Sequence, residues 1–266
     1  MQIQYLPIFS GSSGNCALLA TGGARLLVDA GRPCSAILQQ LERVKFDPSS
    51  LDGILITHEH VDHVRGAGVL SRKFDLPVYA TAATFAAMER SSGPISPKNA
   101  RVIYANCEFS VGNVGVLPVP VPHDAADPVG YVLRCGGRAV AQITDLGHMP
   151  KELLAAAAEA DLVVLESNHD VQMLKTGPYP AALKARILGR RGHLSNDSAA
   201  EAAIALADAG VGTIVLGHLS AQNNREVVAY RAVRDALDRA GMKLGPALRL
   251  DVALRDRPTT VYDLSV

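Results

Sequence analysis

The 266-residue sequence is 48% hydrophobic and 20% charged, a balance that excludes a disordered chain and allows one sizeable core. Lys plus Arg and Asp plus Glu each number 26, for a formal net charge of zero. A generally basic DNA-coating protein is therefore excluded, and a polyanionic partner has to be met by a local basic patch or by metal ions.

The chain starts Met1-Gln2-Ile3-Gln4-Tyr5, without the basic start and apolar core of a signal peptide. No later run reaches the roughly 20 apolar residues of a membrane span, so a cytoplasmic protein with no membrane part is expected. Short aliphatic runs broken by glycine predict strands at residues 3–9, 16–20 and 25–29, then a helix over 35–43. A compact apolar strand, Ile54-Leu55-Ile56-Thr57, runs into a histidine cluster, followed by a helix over 64–73 and a strand at 77–80. Strand signals dominate 101–143, with turns at Gly112-Asn113 and Gly136-Gly137. Beyond Met149 the chain turns Ala-rich, predicting helices over 151–160, 180–190, 196–209 and 226–240 with strands at 162–165 and 213–217 between them. This order fits an α/β sandwich. No linker, repeat or charge block marks a boundary, so residues 1–266 are expected to form one domain. Cys16, Cys34, Cys107 and Cys135 are scattered and read as reduced thiols.

The strongest chemical signal is His58-Glu59-His60-Val61-Asp62-His63. In extended backbone, positions i and i+2 project to one side, so His58 and His60 can share one cation while the turn into the next helix lets Asp62 and His63 face a second. Further ligands are expected at other strand ends, where His123, Asp145 and His218 each follow an apolar run. Taken singly, each is an ordinary hydrogen-bonded histidine or turn aspartate; together with the motif they form a pattern.

That pattern, His-x-His-x-Asp-His followed in order by a His, an Asp and a His at strand ends, resembles the metallo-β-lactamase superfamily. The resemblance implies a four-layer αββα sandwich, the metallo-β-lactamase fold. It also implies two divalent metal ions, with His58, His60 and His123 on one, Asp62, His63 and His218 on the other, and Asp145 bridging them. Asp29, in Leu27-Val28-Asp29-Ala30-Gly31, matches the early aspartate of the superfamily, which supports the metal loop without ligating. Nitrogen and oxygen ligands without thiolate suit Zn²⁺, Mn²⁺ or Fe. Two such ions hold a bridging hydroxide as nucleophile and stabilise a phosphorane-like charge, so hydrolysis is expected.

Longer motifs narrow the resemblance: residues 10–16 (Ser-Gly-Ser-Ser-Gly-Asn-Cys), 123–131, Glu166-Ser167-Asn168-His169-Asp170, Gly177-Pro178-Tyr179-Pro180, Gly192-His193-Leu194-Ser195-Asn196 and residues 219–224. Together they resemble the YycJ/WalJ exonucleases. This implies a metal-dependent exonuclease that degrades double-stranded DNA from a free 5′ end, with a part in mismatch repair or genome maintenance.

Leaving-group protonation needs an acid, and His193 is the candidate, oriented by Glu166. The pairing is similar to that of the tRNA 3′-processing members of the superfamily, although His193-Leu194-Ser195 stands one residue off their His-Ser-Thr motif. A helix N-terminus capped by Ser195 or Asn196 explains the same segment. His169 is an alternative acid or a phosphate contact, and Asp62 takes part in proton transfer. Ser12, Ser13 and Asn15 offer a substrate loop. Lys184, Arg186 and Arg190, with Arg191 beside them and Arg225, Arg231 and Arg234 after His218, are candidate phosphate contacts, though a solvated helix face explains such runs as well. Two competing readings stay open: a hydrolase of small cyclic phosphodiesters or lactones, with a loop near 91–99 capping the metals, and a non-catalytic metal-binding module that docks DNA.

Overall fold

The computed structural model describes residues 2–264. The chain divides into two compact units, one of residues 1–120, 125–138 and 254–266, the other of residues 121–124 and 139–253.

In the first unit, β1 (Ile3–Phe9), β2 (Cys16–Thr21), β3 (Arg25–Val28), β4 (Gly53–Leu55), β5 (Val78–Thr81), β6 (Ala100–Ile103) and β14 (Tyr262–Leu264) form a sheet in the order β14-β1-β2-β3-β4-β5-β6. Pairing is antiparallel from β14 to β3 and parallel from β3 to β6. Parallel neighbours need crossovers, supplied by α1 (Cys34–Arg43), by the pair α2 (Val61–Val64) and α3 (Ala67–Phe74), and by α4 (Ala82–Ser92). Helix α1 buries Cys34, Ile37, Gln40 and Leu41, the i, i+3, i+6, i+7 stripe of one helical face. That stripe joins Leu6, Ile8, Leu27, Ile54 and Leu70 in one apolar cluster. An antiparallel meander of β7 (Phe109–Val111), β8 (Val114–Pro120) and β9 (Val129–Cys135) completes this unit.

In the second unit, β10 (Arg138–Ile143), β11 (Leu162–Glu166), β12 (Thr213–Gly217) and β13 (Arg249–Val252) run parallel in that order. The connections carry α5 (Lys151–Ala157), then α6 (Val171–Thr176), α7 (Ala181–Ile187) and α8 (Asn196–Asp208), then α9 (Glu226–Arg239). Strand β11 is buried at every position, as expected of a parallel strand covered on both faces.

The α/β class and most elements follow the sequence reading; the differences have local causes. The helix expected over 64–73 breaks in two at Gly66, whose N–H donates to the Ala30 carbonyl at 2.7 Å. A Cβ there would lie 2.4 Å from the Arg32 carbonyl oxygen. Residues 82–92, assigned no element from sequence, form α4, with the Thr81 hydroxyl accepting from the Thr84 N–H at its start. The strand expected over 25–29 stops at Val28 because Asp29 takes a left-handed φ of 61°. Strands β13 and β14 and helix α6 were not expected. Both glycines of the Gly136-Gly137 turn have positive φ, 60° and 77°, as a two-residue hairpin turn demands.

Gly31 shows how tightly the loops of the first unit close. A Cβ at this position would stand 1.6 Å from the Asp62 carbonyl oxygen, whereas one at Gly22 would meet nothing within 4 Å. Gly31→Ala is expected to lower stability by about 2 kcal/mol, the scale of core overpacking, and Gly22→Ala to leave it nearly unchanged, both measured by urea denaturation.

Candidate functional site

In the first unit the motif begins where β4 ends. His58, His63 and Thr57 are buried, and Asp62 opens α2. The arrangement is organised by Asp29, which is fully buried. Its carboxylate accepts from the Thr57 N–H at 2.9 Å, from the Thr57 hydroxyl at 3.0 Å and from His63 Nδ1 at 2.8 Å. With its proton given to Asp29, the Thr57 hydroxyl accepts from His58 Nδ1 at 3.0 Å. This network fixes both tautomers: each ring carries its proton on Nδ1, and each Nε2 keeps its lone pair. His58 Nε2 lies 3.1 Å from His60 Nδ1, so the two-residue spacing does place the rings on one side. His63 Nε2 lies 3.6 Å from Asp62 Oδ2 and 3.0 Å from Asn15 Nδ2. Tyr131 braces the strand end by donating to the Ile56 carbonyl at 2.6 Å; burial holds its phenol well above the ordinary range.

In the second unit the same design recurs around Glu166, the last residue of β11. Its Oε2 accepts from the N–H groups of Leu146 (2.9 Å) and Leu194 (3.0 Å), and its Oε1 from His193 Nδ1 at 2.8 Å. His193 thus turns Nδ1 to Glu166, and its side chain is 17% exposed. His123 donates Nδ1–H to the Gly192 carbonyl at 3.1 Å, and its Nε2 is 3.8 Å from Asp145 Oδ1. Asp145 Oδ2 is 2.7 Å from His218 Nδ1. Donor atoms of Asp145, Glu166, His193 and His218 all lie within 4.8 Å of one another. Asp145 and His218 both take left-handed φ, 61° and 54°.

These donor sets fit divalent metal ions. With bonds of about 2.0–2.1 Å, two ligands of a tetrahedral ion stand about 3.4 Å apart, and the His58–His60 and Asp62–His63 donor separations fall on either side of that edge. The lone-pair nitrogens face away from groups that hold Nδ1 protons, as ligating imidazoles require.

Other sequence candidates fall into place less directly. Ser195 accepts from the Ser198 N–H as the cap of α8, while two residues earlier His193 meets Glu166; the capping and pairing readings of this segment both hold. His169 is buried, and neither ring nitrogen has a partner among the described residues. Burial pushes its pKa down to about 4, so the ring is neutral at pH 7. Arg186 forks onto Asp124, Arg190 meets His148 Nε2, and Lys184 donates to the Lys175 carbonyl. Arg191 donates to the His123 carbonyl at 2.9 Å. Arg186 and Arg191 thus tie down the loop that carries His123. Ser12 and Ser13 are exposed, and Asn15 is buried. Thr57, the hinge of the Asp29 network, was not singled out from sequence; its place directly before His58, the first histidine of the motif, was the available signal. Among the described residues, no helix is long and apolar enough to cross a membrane.

Comparison with known proteins agrees with this chemistry. Residues 24–219 match the Beta-lactamase superfamily domain. The chain is 37% identical to "Exodeoxyribonuclease YycJ" of Bacillus anthracis over 265 residues, 98% of this chain and 99% of that protein. It is 36% identical to "Exodeoxyribonuclease WalJ" of Streptococcus pneumoniae serotype 2 over 263 residues, 98% of each. Among solved structures, the metallo-β-lactamase fold protein YhfI of Bacillus subtilis superposes with a TM-score of 0.74 at 17% identity, covering 99% of this chain and 100% of that one; the likeness shows the fold. The chain belongs to the metallo-β-lactamase superfamily and, within it, to the family of YycJ and WalJ.

Asp29→Asn is expected to weaken metal binding about 10- to 100-fold, the usual cost of losing an outer-shell partner, while the circular dichroism spectrum persists; titration of chelator-stripped protein with Zn²⁺ measures it. The ring C–H resonances of His169 are expected to titrate near pH 4. Because the folded pKa lies below the unfolded value of about 6.5, the unfolded chain binds this proton first, and the stability contributed by the neutral ring is lost as pH falls from about 6.5 towards 4. His169→Gln should flatten that part of the stability profile.

Proposed function

We propose that this protein is a metal-dependent exodeoxyribonuclease in which residues 1–266 work as one hydrolase domain. The finer reading is an exonuclease that degrades double-stranded DNA from a free 5′ end in the service of genome maintenance. The observation that carries it is the end-to-end likeness to two proteins named exodeoxyribonucleases, supported by the histidine and carboxylate clusters at the strand ends.

Two divalent ions, Zn²⁺, Mn²⁺ or Fe, are proposed as cofactors, with His58, His60 and His123 ligating one, Asp62, His63 and His218 the other, and Asp145 shared. When bound, such ions supply Lewis acidity, lowering the pKa of water and neutralising phosphate charge. Asp62 accepts the proton of the attacking water. His193 donates from Nε2 to the departing oxygen; Glu166, bonded at Nδ1, holds the ring in that orientation and stabilises its cation. Neutral His169 contributes an N–H to the phosphate, not the proton. Ser12, Ser13 and Asn15 line the path of the strand. Lys184, Arg186 and Arg190 lend positive field to it while their hydrogen bonds fix the neighbouring loops.

The test is digestion of duplex DNA, labelled separately at each end, by chelator-stripped protein refilled with Mn²⁺ or Zn²⁺. Metal-dependent shortening from the 5′ end is expected. Asp62→Asn should abolish it with the fold retained. His193→Ala should slow it about 10²- to 10⁴-fold, the range of general acid catalysis, without loss of bound metal. Absence of cleavage by the metal-loaded wild type, or equal rates in the Asp62 variant, overturns the reading and turns attention to small cyclic phosphodiesters and lactones.

A further inference from the structure

Between β1 and β2 the chain makes a tight loop over residues 10–15, closed by the Gly14 N–H on the Gly11 carbonyl at 2.9 Å. The loop is fastened to the metal motif from beneath: the Asn15 N–H donates to the Asp62 carbonyl at 2.8 Å, and its side chain reaches His63 Nε2 at 3.0 Å. Its tip carries Ser12 and Ser13, both exposed. Among the described residues the N–H groups of these two serines have no acceptor.

Arg32 lies against this tip. Its stem runs over Gly14, where a Cβ would come within 2.2 Å of Arg32 Cδ. Its guanidinium sits 5.3 Å from the centroid of the Phe9 ring and donates from Nη1 to the Ser13 carbonyl at 3.1 Å. Arg186, Arg234 and Arg249 meet carboxylates, but no carboxylate pairs with Arg32 among the described residues, and its shielded Nε has no acceptor. A half-buried, orientationally fixed cation without a counterion, beside two free N–H groups and two hydroxyls, is a donor-rich surface, and its natural ligand is an oxyanion.

We propose that Arg32 and the Ser12-Ser13 tip bind a phosphate group of the nucleic acid strand, adjacent to the one being hydrolysed. The inference rests on the nuclease reading above and adds a specificity determinant to it. Placing a phosphate here lets the Asn15 N–H, which donates to the Asp62 carbonyl, couple strand position to the metal motif, so the ligand that Arg32 holds sets the register of the reacting bond. Arginine suits the task better than lysine because its planar group keeps its orientation against Phe9.

The experiment compares metal-loaded wild type with R32A, R32Q and R32K on duplexes ending in a 5′-phosphate or a 5′-hydroxyl. R32Q keeps the stem and a donor without the charge, which guards against loss of packing in R32A. R32A and R32Q are expected to raise KM about 10- to 100-fold, the scale of a charge-assisted hydrogen bond, with R32K between them and wild type. In binding assays on an Asp62→Asn background, R32A should reduce the slope of log affinity against log salt by about one, as loss of one phosphate contact predicts. A KM rise confined to 5′-phosphorylated duplexes assigns the site to the terminal phosphate; an equal rise on both assigns it to an internal one. Unchanged KM and salt slope in an active enzyme overturn this inference alone, as does a loss of activity that follows loss of metal. A wild type that cuts no DNA overturns the nuclease reading and this inference with it.

Discussion

The buried carboxylate of Asp29 is the interaction on which the metal motif depends. A carboxylate removed from water costs several kcal/mol unless its oxygens are fully engaged, and here each engagement also orients a functional group. The Thr57 N–H and hydroxyl, together with His63 Nδ1, satisfy the charge. In doing so they aim His63 directly and, through the Thr57 hydroxyl, His58 as well. Removing the charge would therefore disorder two imidazoles at once.

Glu166 repeats the device in the second unit. Again a buried acid at a strand end collects two further donors, here backbone N–H groups from two distant loops, and one imidazole Nδ1–H. The two rings differ in setting: Asp29 holds the fully buried ring of His63, whose Nε2 faces Asp62, whereas Glu166 holds the part-exposed ring of His193. What differs is access to solvent and neighbouring charge, not the hydrogen-bond plan. Around Glu166 the backbone N–H groups of Leu146 and Leu194 bring the ends of two loops to a single oxygen, so the acid also sets the spacing between Asp145 and His193.

Much of this was legible in the sequence because metal chemistry needs particular residue types at particular spacings. His58, His60, Asp62 and His63 could be read from their spacing as metal-ligand candidates, whereas His123, Asp145 and His218, each unremarkable singly, joined them only through the pattern that resembles the superfamily. The Glu166–His193 pairing was legible only through resemblance, since 27 residues separate them. Lys184, Arg186 and Arg190 read as candidate phosphate contacts, while their hydrogen bonds to Lys175, Asp124 and His148 were not legible. A basic residue's partner is set by tertiary contacts, which periodicity does not report. The same limit hid Arg32, whose significance comes from Phe9, Ser13 and Gly14 across a strand. In the fold, β13 and β14 escaped notice because short strands carry too few alternating positions to stand out from loop.

The left-handed residues connect these observations. Asp29, Asp145 and His218 each follow a strand and each adopt φ between 54° and 61°, a region that costs a non-glycine residue of order 1 kcal/mol or more. Glycine would relieve the strain at all three positions and remove the side chain in the same step. The strain persists because the surroundings determine it: the Asp29 N–H donates to the Leu55 carbonyl at 2.8 Å, and the His218 carbonyl accepts from Asn168 at 2.9 Å. The left-handed turn comes directly after the last strand residue at Asp29 and His218 and one residue later at Asp145, so the side chain at the turn is held close to the sheet rather than on a long loop. Three polar groups are thus placed with the rigidity of strand backbone at positions where the chain is already leaving the sheet. That rigidity offsets the local cost, because polar groups that must meet their partners at hydrogen-bond distance tolerate little motion in the backbone that carries them.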